Sequence, residues 1–261
     1  MRAFAFVWAA SLALAGAAEA APRRVASLNL CTDELLLMLA APGQIASVTH
    51  LAQQPEETPF WRLARRYPRN DGSLASVVPL KPDLVLTMGG GGRDRGAIAA
   101  RLGLRMIDLP YPRTLADIEA SVRILAGGLG RPQAGEAALA SIEALKRTRP
   151  ARQRDALWLG GGGRTVPAQG LAAEWMALAG LRQRRIAGDR ISLELLLTRP
   201  PAVLLRSDYR AGQYSGEQRW LSHPLAREVR GARSLGTDGR LWTCMGPAMA
   251  GEIARLRAAL R

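Results

Sequence analysis

Two glycine runs, each followed by arginine, are the first residues whose spacing suggests chemistry. Gly89–Gly92 precede Arg93, and Gly160–Gly163 precede Arg164. A P-loop for phosphate needs Lys and then Ser or Thr after its last glycine, and neither run has them. In the first run, Asp94 also stands where a dinucleotide fingerprint would have its third glycine. We expect these loops to let backbone approach a bulky ligand and to offer amide groups to an anion, the alternative being flexible turns without a ligand.

The sequence argues against a site for a naked metal ion. His50 and His223 are the only histidines, whereas a zinc site uses several imidazole, thiolate or carboxylate ligands. We therefore expect any metal to arrive inside a chelate or macrocycle. His50, at the end of a predicted strand, is a candidate contact or an exposed loop residue, and His223 is expected to begin a helix.

A cysteine nucleophile is the enzymatic alternative. Cys31 precedes a predicted helix, whose amino end would stabilise a thiolate. His50 or His223 would be the base, and Asp33 would orient it. No hydrolase signature accompanies these residues, so we expect a protein without catalytic activity and keep the hydrolase as the alternative.

The elements that must position these residues alternate between strands and short helices. Residues 24–30 predict a strand, which a helix beginning at Thr32 or Asp33 follows. Further strands are predicted at residues 45–50, 84–88 and up to Leu109, with helices between them. This alternation indicates a parallel sheet with helices on both faces.

The middle of the chain predicts two helices without a strand between them. Pro132 suits the first turn of the second helix, whose roughly 16 residues would extend about 24 Å. Strands resume at residues 156–160, and the chain is expected to close with a strand, a turn at residues 244–246 and a helix. We predict two α/β lobes with mainly parallel sheets, joined by one long α-helix, with a ligand cleft between the lobes.

The amino terminus resembles an export signal. Arg2 precedes an apolar run and the Ala18-Glu19-Ala20 cleavage pattern, and the run is too short to span a bilayer. The predicted divisions are therefore a signal peptide at 1–20, a first lobe at 21–130, a linking helix at 131–150 and a second lobe at 151–261. No later segment of the sequence is expected to span a membrane.

The formal net charge of +14 comes almost entirely from arginine, because Lys81 and Lys146 are the only lysines. In an exported protein this charge favours anionic small molecules or a membrane surface over nucleic acid. Guanidinium groups bind carboxylates in a bidentate manner, although GC-rich coding also explains the arginine content. Cys31 and Cys244 fall on predicted turns, one in each lobe, and form either a disulfide or two separate thiols beside the cleft.

The order of these segments resembles the helical-backbone periplasmic solute-binding proteins that serve ABC importers of ferric siderophores, haem or vitamin B12. The resemblance rests on "RVASLNLCTDELLLML…IASVTH", on "LASVVPLKPDLVLT" with its second-lobe counterpart "LELLLTRPPAVLL", and on "LWTCMGPAMAGEIARL" as a closing strand and helix. It implies a monomeric receptor that captures a metal chelate, foremost a ferric siderophore, and delivers it to an inner-membrane permease. It implies a soluble periplasmic location and no cofactor of its own.

The resemblance also places the ligand between the lobes, at the strand ends. The expected contacts are the loop, basic, aromatic and sulfur-bearing residues that fall there: Cys31, Thr32, His50, Gly90, Gly91, Arg93, Gly162, Arg164, Arg206, Tyr209, Trp242, Cys244 and Met245. In the vitamin B12-binding relative, a glutamate on each lobe docks onto the permease. Glu194 matches the second-lobe position, whereas Ala75 stands at the first-lobe position, where Glu56 or Glu57 is the substitute to consider.

Overall fold

The computed structural model describes residues 20–89 and 93–261. Within them lie nine strands and twelve α-helices. The strands are β1 Val25–Ser27, β2 Ile45–Thr49, β3 Arg69–Asn70, β4 Leu84–Met88, β5 Arg105–Leu109, β6 Arg154–Leu159, β7 Leu181–Gln183, β8 Val203–Ser207 and β9 Arg233–Thr237. The helices are α1 Leu30–Leu39, α2 Trp61–Ala64, α3 Leu74–Val77, α4 Arg93–Arg101, α5 Leu115–Gly128, α6 Pro132–Arg147, α7 Leu171–Ala179, α8 Leu193–Thr198, α9 Gly216–Ser222, α10 Pro224–Arg227, α11 Leu241–Cys244 and α12 Met249–Ala259.

The strands form two parallel sheets, as the sequence predicts. The first lobe has the order β3-β2-β1-β4-β5, and the second lobe has the order β7-β6-β8-β9. Every pair of neighbouring strands in both sheets is parallel. All carboxyl ends within a sheet therefore lie along one edge, where the following loops present their side chains.

Hydroxyl and amide side chains fix where several helices begin. Asn29 accepts a hydrogen bond from the Cys31 amide at 2.9 Å and caps α1. Ser73 caps α3 and Ser192 caps α8 in the same way. These side chains satisfy amide groups that have no partner within the helix. Ser192 thus opens α8, whereas α1 begins at Leu30, two or three residues before the predicted start.

One prediction near the carboxyl terminus is wrong. The strand expected before the turn at residues 244–246 is instead the short helix α11, which includes Cys244, and the last strand is β9. Apolar periodicity does not predict β9, because its side chains are mostly exposed and Gly236 interrupts the run. The two-residue β3 was not predicted either, whereas the terminal helix α12 is confirmed.

One hydrophobic core extends across both lobes. It contains Val25 and Leu86 of the first sheet, Val203 and Leu205 of the second, and Trp175 of α7, which is completely buried. Helices α1, α5, α6, α7 and α12 supply most of the remaining side chains. Because apolar burial is the main favourable term in folding, this shared core holds the two lobes together.

Helix α6 lies within the predicted linking segment and packs against α1, α5 and α12. Arg257 of α12 ties its carboxyl end to the second lobe, donating to the Leu145 carbonyl at 2.6 Å, to the Thr148 hydroxyl at 2.8 Å and to the Leu178 carbonyl. A guanidinium group at helix carboxyl ends also interacts favourably with the helix dipoles. In the described part of the chain, no helix combines the length and the apolar character needed to cross a membrane.

A disulfide joins the two lobes. Cys31, in the first turn of α1, is bonded to Cys244, the last residue of α11, with 5.2 Å between their Cα atoms. The bond closes a loop of 213 residues in sequence. Of the two arrangements that the sequence left open, the structure has the disulfide.

Reducing this bond is predicted to lower the free energy of unfolding by about 2 to 5 kcal/mol, because so long a loop strongly restricts the unfolded chain. Guanidinium unfolding of oxidised and reduced protein measures the difference. Thiol titration of the denatured, unreduced protein should find no free thiol, and two free thiols would contradict the structure.

Candidate functional site

The carboxyl edges of the two sheets meet where loops of one lobe contact loops of the other. We call this region the interlobe junction, defined by residues that bond or face each other across it: Cys31, Glu34 and Glu57 of the first lobe, and Tyr209, Arg210, Arg240 and Cys244 of the second. In open α/β sheets this edge is where ligands bind.

Glu57 is the polar centre of the interlobe junction. Its side chain belongs to the loop after β2 and is only 5% exposed. One carboxylate oxygen accepts from the Tyr209 hydroxyl at 2.8 Å, and the other accepts from the Arg210 guanidinium. A carboxylate with one donor on each oxygen is held in a bidentate manner. These two bonds therefore join the lobes by charge-assisted contacts.

The loop after β8 is built to present Tyr209 and Arg210. Gln218 donates to the Tyr209 carbonyl at 3.0 Å, and the Gly239 amide donates to Asp208 at 2.7 Å. A Cβ atom on Gly239 would lie 2.4 Å from the Tyr209 backbone nitrogen, so only glycine fits there. Arg210 itself has a φ of 53°, a conformation that costs on the order of 1 kcal/mol for a residue with a side chain.

Arg240 makes a second polar contact across the interlobe junction. Its guanidinium forms a two-pronged pair with Asp238, at 2.9 and 2.7 Å, and donates to the Pro55 carbonyl of the first lobe at 2.9 Å. The Asp238 contact raises the pKa of Arg240 further, so this side chain stays charged. It fixes the loop that carries Glu57 from the opposite lobe.

Two buried carboxyl groups lie on α1 beside the disulfide. Burial raises the pKa of Asp33 to about 7, although Thr49 donates to it through both its amide and its hydroxyl. Burial also raises the pKa of Glu34 to about 7, although Thr58 donates to it at 2.7 Å. Asp238 of the second lobe adds to the Glu34 shift. The charge on Glu34 is therefore coupled to the interlobe junction.

A small cavity accompanies the disulfide in the described part of the interlobe junction. Beside the disulfide lies a cavity of about 10 Å³, lined by Glu34, Ser121 and mostly apolar groups of both lobes. The Ser121 hydroxyl is buried and has no hydrogen-bond partner among the residues that the structure describes. A cavity of this size holds about one water molecule.

The predicted contacts in the first lobe are placed differently from one another. Cys31 is in the disulfide, and Thr32 is completely buried with its hydroxyl donating to the Asn29 carbonyl at 2.9 Å. His50 is exposed at the end of β2. Gly90 and Gly91 lie outside the described residues, and the backbone of Arg93 begins α4. Thr32 would need α1 to move before it could touch a ligand.

The second glycine run is packed against its own lobe. Gly163 has a φ of 76°, and a Cβ atom there would lie 2.5 Å from the Ile191 carbonyl. Arg164 pairs with Glu217 of α9 at 2.8 Å, and both side chains are exposed. Gly162 lies against the same glutamate. Tight packing against α9 therefore accounts for these glycines, while a ligand role for Gly162 and Arg164 stays a prediction.

Three other predicted contacts point into the protein. Arg206 donates to the Leu221 carbonyl at 3.0 Å, and burial lowers its pKa. Trp242 is 7% exposed, donates to Thr237 at 2.8 Å and packs against Trp158 with 5.8 Å between ring centroids. The Met245 carbonyl accepts from Trp175 at 3.0 Å. These contacts occupy groups that we expected to face a ligand.

Glu194 and Ala75 occupy equivalent places in the two lobes. Each is the second residue of a short helix that a serine caps, α8 for Glu194 and α3 for Ala75, and each is exposed. Glu56 is also exposed, whereas Glu57 is buried against Arg210. Of the two glutamates considered as substitutes at Ala75, only Glu56 has a free surface in this conformation.

The hydrolase alternative needs a free thiolate, and the sulfur of Cys31 is bonded to Cys244. His223 caps α10 by accepting from the Leu225 amide at 3.2 Å, which confirms that it begins a helix. Among the described residues, no group of three or more His, Cys, Asp or Glu side chains is placed to hold a metal ion.

Sequence reasoning did not place Glu57, Glu34 or Arg240 between the lobes. Glu57 lies in the polar segment "QQPEETP", which carries no apolar periodicity that would predict burial. Glu34 lies in the predicted helix but on its buried face. The alternating charges of "RSDYRAG" are the one sequence signal that indicates the loop with Tyr209 and Arg210.

Comparison with known proteins identifies a sequence family. The model of the family described as periplasmic binding protein matches residues 25–234. That range extends from β1 into β9 and contains both sheets except for the last three residues of β9. No curated protein matches the chain in sequence.

Solved structures share the fold at low sequence identity. The periplasmic haem-binding protein RhuT from Roseiflexus sp. RS-1, in its apo form, has a TM-score of 0.70 and 23% identity over 91% of this chain and 97% of that one. The vitamin B12-binding protein BtuF of Vibrio cholerae has a TM-score of 0.66 and 17% identity, over 92% and 96%. The siderophore-binding protein BauB, bound to ferric iron and two acinetobactin molecules, has a TM-score of 0.70 and 14% identity, over 92% and 94%.

Because the pKa of Glu34 is raised, we predict that its contribution to the free energy of unfolding falls as the pH rises. The Glu34 carboxyl keeps its proton up to about pH 7 in the folded protein, whereas in the unfolded chain it loses the proton near pH 4.5. Raising the pH from 4.5 to 7 therefore lowers the free energy of unfolding. The change that Glu34→Gln makes in the free energy of unfolding should therefore be more favourable at pH 8 than at pH 4, by up to about 3 kcal/mol.

Chemical unfolding at the two pH values measures this difference, with the exposed Glu56→Gln as the matched control. An equal effect of Glu34→Gln at both pH values would show that folding does not raise the pKa of Glu34.

Proposed function

Because the chain belongs to the periplasmic binding protein family, we propose that it is the substrate-binding component of an ABC importer and captures a metal chelate between its lobes. A ferric siderophore is the foremost candidate, and haem or cobalamin are the alternatives. The protein binds and delivers this chelate without chemical turnover and uses no cofactor of its own.

The observation that carries this proposal is the interlobe junction. Two parallel sheets direct their carboxyl edges at each other, and the polar side chains of Glu57, Tyr209 and Arg210 meet there. Two-lobed proteins bind small molecules at such interfaces. Solved structures with this fold bind haem, vitamin B12 and a ferric siderophore, according to their names.

The preference for an anionic ferric siderophore or haem over cobalamin rests on charge. The chain carries a net charge of +14, and Arg210 and Arg240 place guanidinium groups at the interlobe junction. Guanidinium pairs with carboxylate oxygens through two parallel hydrogen bonds. A chelate with anionic groups is therefore favoured over the nearly neutral corrinoid.

The cellular setting follows from the predicted signal segment. Cleavage after Ala20 leaves a soluble periplasmic protein, which meets its ligand there as a monomer. It then docks on the inner-membrane permease, with Glu194 of the second lobe as one contact.

Titration of the mature, oxidised protein with ferric siderophores, haem and cobalamin should show saturable binding to a ferric siderophore with a Kd below about 10 μM. The Trp158–Trp242 pair beside the interlobe junction supplies the fluorescence signal. Arg123→Gln, on the exposed surface of α5, serves as a control that should bind equally. Binding of haem or cobalamin alone would exclude the siderophore, and binding of none would exclude the receptor.

Docking through one glutamate predicts an asymmetry between the lobes. Glu194→Ala should weaken stimulation of the permease ATPase several-fold, whereas Ala75→Glu should strengthen it, because each exposed charge pair adds up to about 1 kcal/mol. ATPase activity in reconstituted membranes measures both. Stimulation unchanged by Glu194→Ala would place the docking surface elsewhere.

A further inference from the structure

The hydrogen-bond partners of Glu57 suggest that this side chain does more than connect the two lobes. Both hydrogen bonds to its carboxylate come from the second lobe, one from Tyr209 and one from Arg210. Among the described contacts, no first-lobe side chain donates to it. The carboxylate thus reaches from a loop of one lobe into a pair of donors on the other, as the carboxylate of a ligand would.

The donor pair is held in place by contacts that do not involve Glu57. The Arg210 guanidinium lies 5.2 Å from the centre of the Tyr209 ring, in a cation–π arrangement. Gln218 bonds the Tyr209 carbonyl, and the close approach of Gly239 fixes the Tyr209 backbone. The left-handed conformation of Arg210 shows that the loop maintains this geometry against a local cost. Such supporting contacts are typical of a preorganised recognition site.

Both donors keep their protons at neutral pH. Burial and the Glu57 bond raise the pKa of the Tyr209 hydroxyl, and the Glu57 bond raises that of Arg210. The pair therefore offers one hydroxyl and one guanidinium donor to an anion with two oxygens.

We propose that Tyr209 and Arg210 form a carboxylate subsite, that Glu57 occupies it in the ligand-free protein, and that a carboxylate of the incoming chelate replaces Glu57. This inference rests on the proposed function and narrows it to chelates that carry free carboxylates. When the ligand arrives, Glu57 on its loop returns to water, where its charge is solvated.

The replacement has a consequence for affinity. In the wild type, a ligand carboxylate gains the two donors while Glu57 loses them, so the two effects offset each other. Without the competing charge of Glu57, the ligand keeps the full benefit. A neutral chelate gains no affinity from the donors when Glu57 loses its charge. If Glu57 only holds the lobes shut, however, removing its charge increases the affinity for neutral and anionic chelates alike.

The test compares wild type, Glu57→Gln and the double variant Glu57→Gln/Arg210→Gln. The anionic probes are ferric citrate and haem, which carry carboxylates, and the neutral probes are ferrichrome and cobalamin, which lack them. Glu57→Gln should increase affinity for anionic over neutral probes by about tenfold, the equivalent of one charge-assisted hydrogen bond. Adding Arg210→Gln should abolish this increase. Glu56→Gln, which alters an exposed neighbour, should change neither.

Equal tightening of anionic and neutral probes by Glu57→Gln would overturn the subsite, because Glu57 would then act only as a latch between the lobes. Binding of neutral probes alone, or an unchanged preference, would overturn it as well while leaving a receptor function intact. If no probe binds to any of the three proteins, the proposed function itself fails.

A second measurement is independent of affinity. In the ligand-free protein, carbodiimide labelling followed by mass spectrometry should modify Glu57 much less than Glu56. Saturation with a carboxylate-bearing probe should raise the Glu57 labelling towards that of Glu56, and continued protection would contradict the replacement.

Discussion

The disulfide between Cys31 and Cys244 is the constraint on which the arrangement of the two lobes depends. It joins the first turn of α1 to the end of α11 and lies against the core that both lobes share. At this point the lobes cannot move apart while the bond persists. Any opening that admits a ligand must therefore occur elsewhere along the interlobe junction, where the contacts are hydrogen bonds and ion pairs.

The contacts that can open are those of Glu57 and Arg240. Tyr209 and Arg210 hold the Glu57 carboxylate, and Arg240 holds the Pro55 carbonyl of the same loop. When the lobes separate, water replaces the partner in each of these hydrogen bonds. Each bond therefore contributes only modestly to the free energy that keeps the lobes together. The structure thus combines one covalent connection with several hydrogen bonds and ion pairs. This arrangement limits the amplitude of the motion and preserves access to the donors on the second lobe.

The sequence predicts the fold better than the site. Strands such as β4 and β8 each begin with three consecutive apolar residues, and the serine caps of α3 and α8 mark helix starts, so local patterns are sufficient for the architecture. The site depends on contacts between residues far apart in the chain. The burial of Glu57 becomes evident only when Tyr209 and Arg210 approach from the other lobe. Packing around the second glycine run is hidden for a related reason, because a loop sequence does not reveal that Gly163 lies against the Ile191 carbonyl.

Hydrogen exchange of the oxidised protein with and without a bound ferric chelate tests the central claim most directly. If the ligand binds at the interlobe junction, protection should change in the loops at residues 50–60 and 207–212, while the amides of α6 and α12 keep their exchange rates. Changes confined to surfaces away from the interlobe junction, with these two loops unaffected, would contradict binding between the lobes.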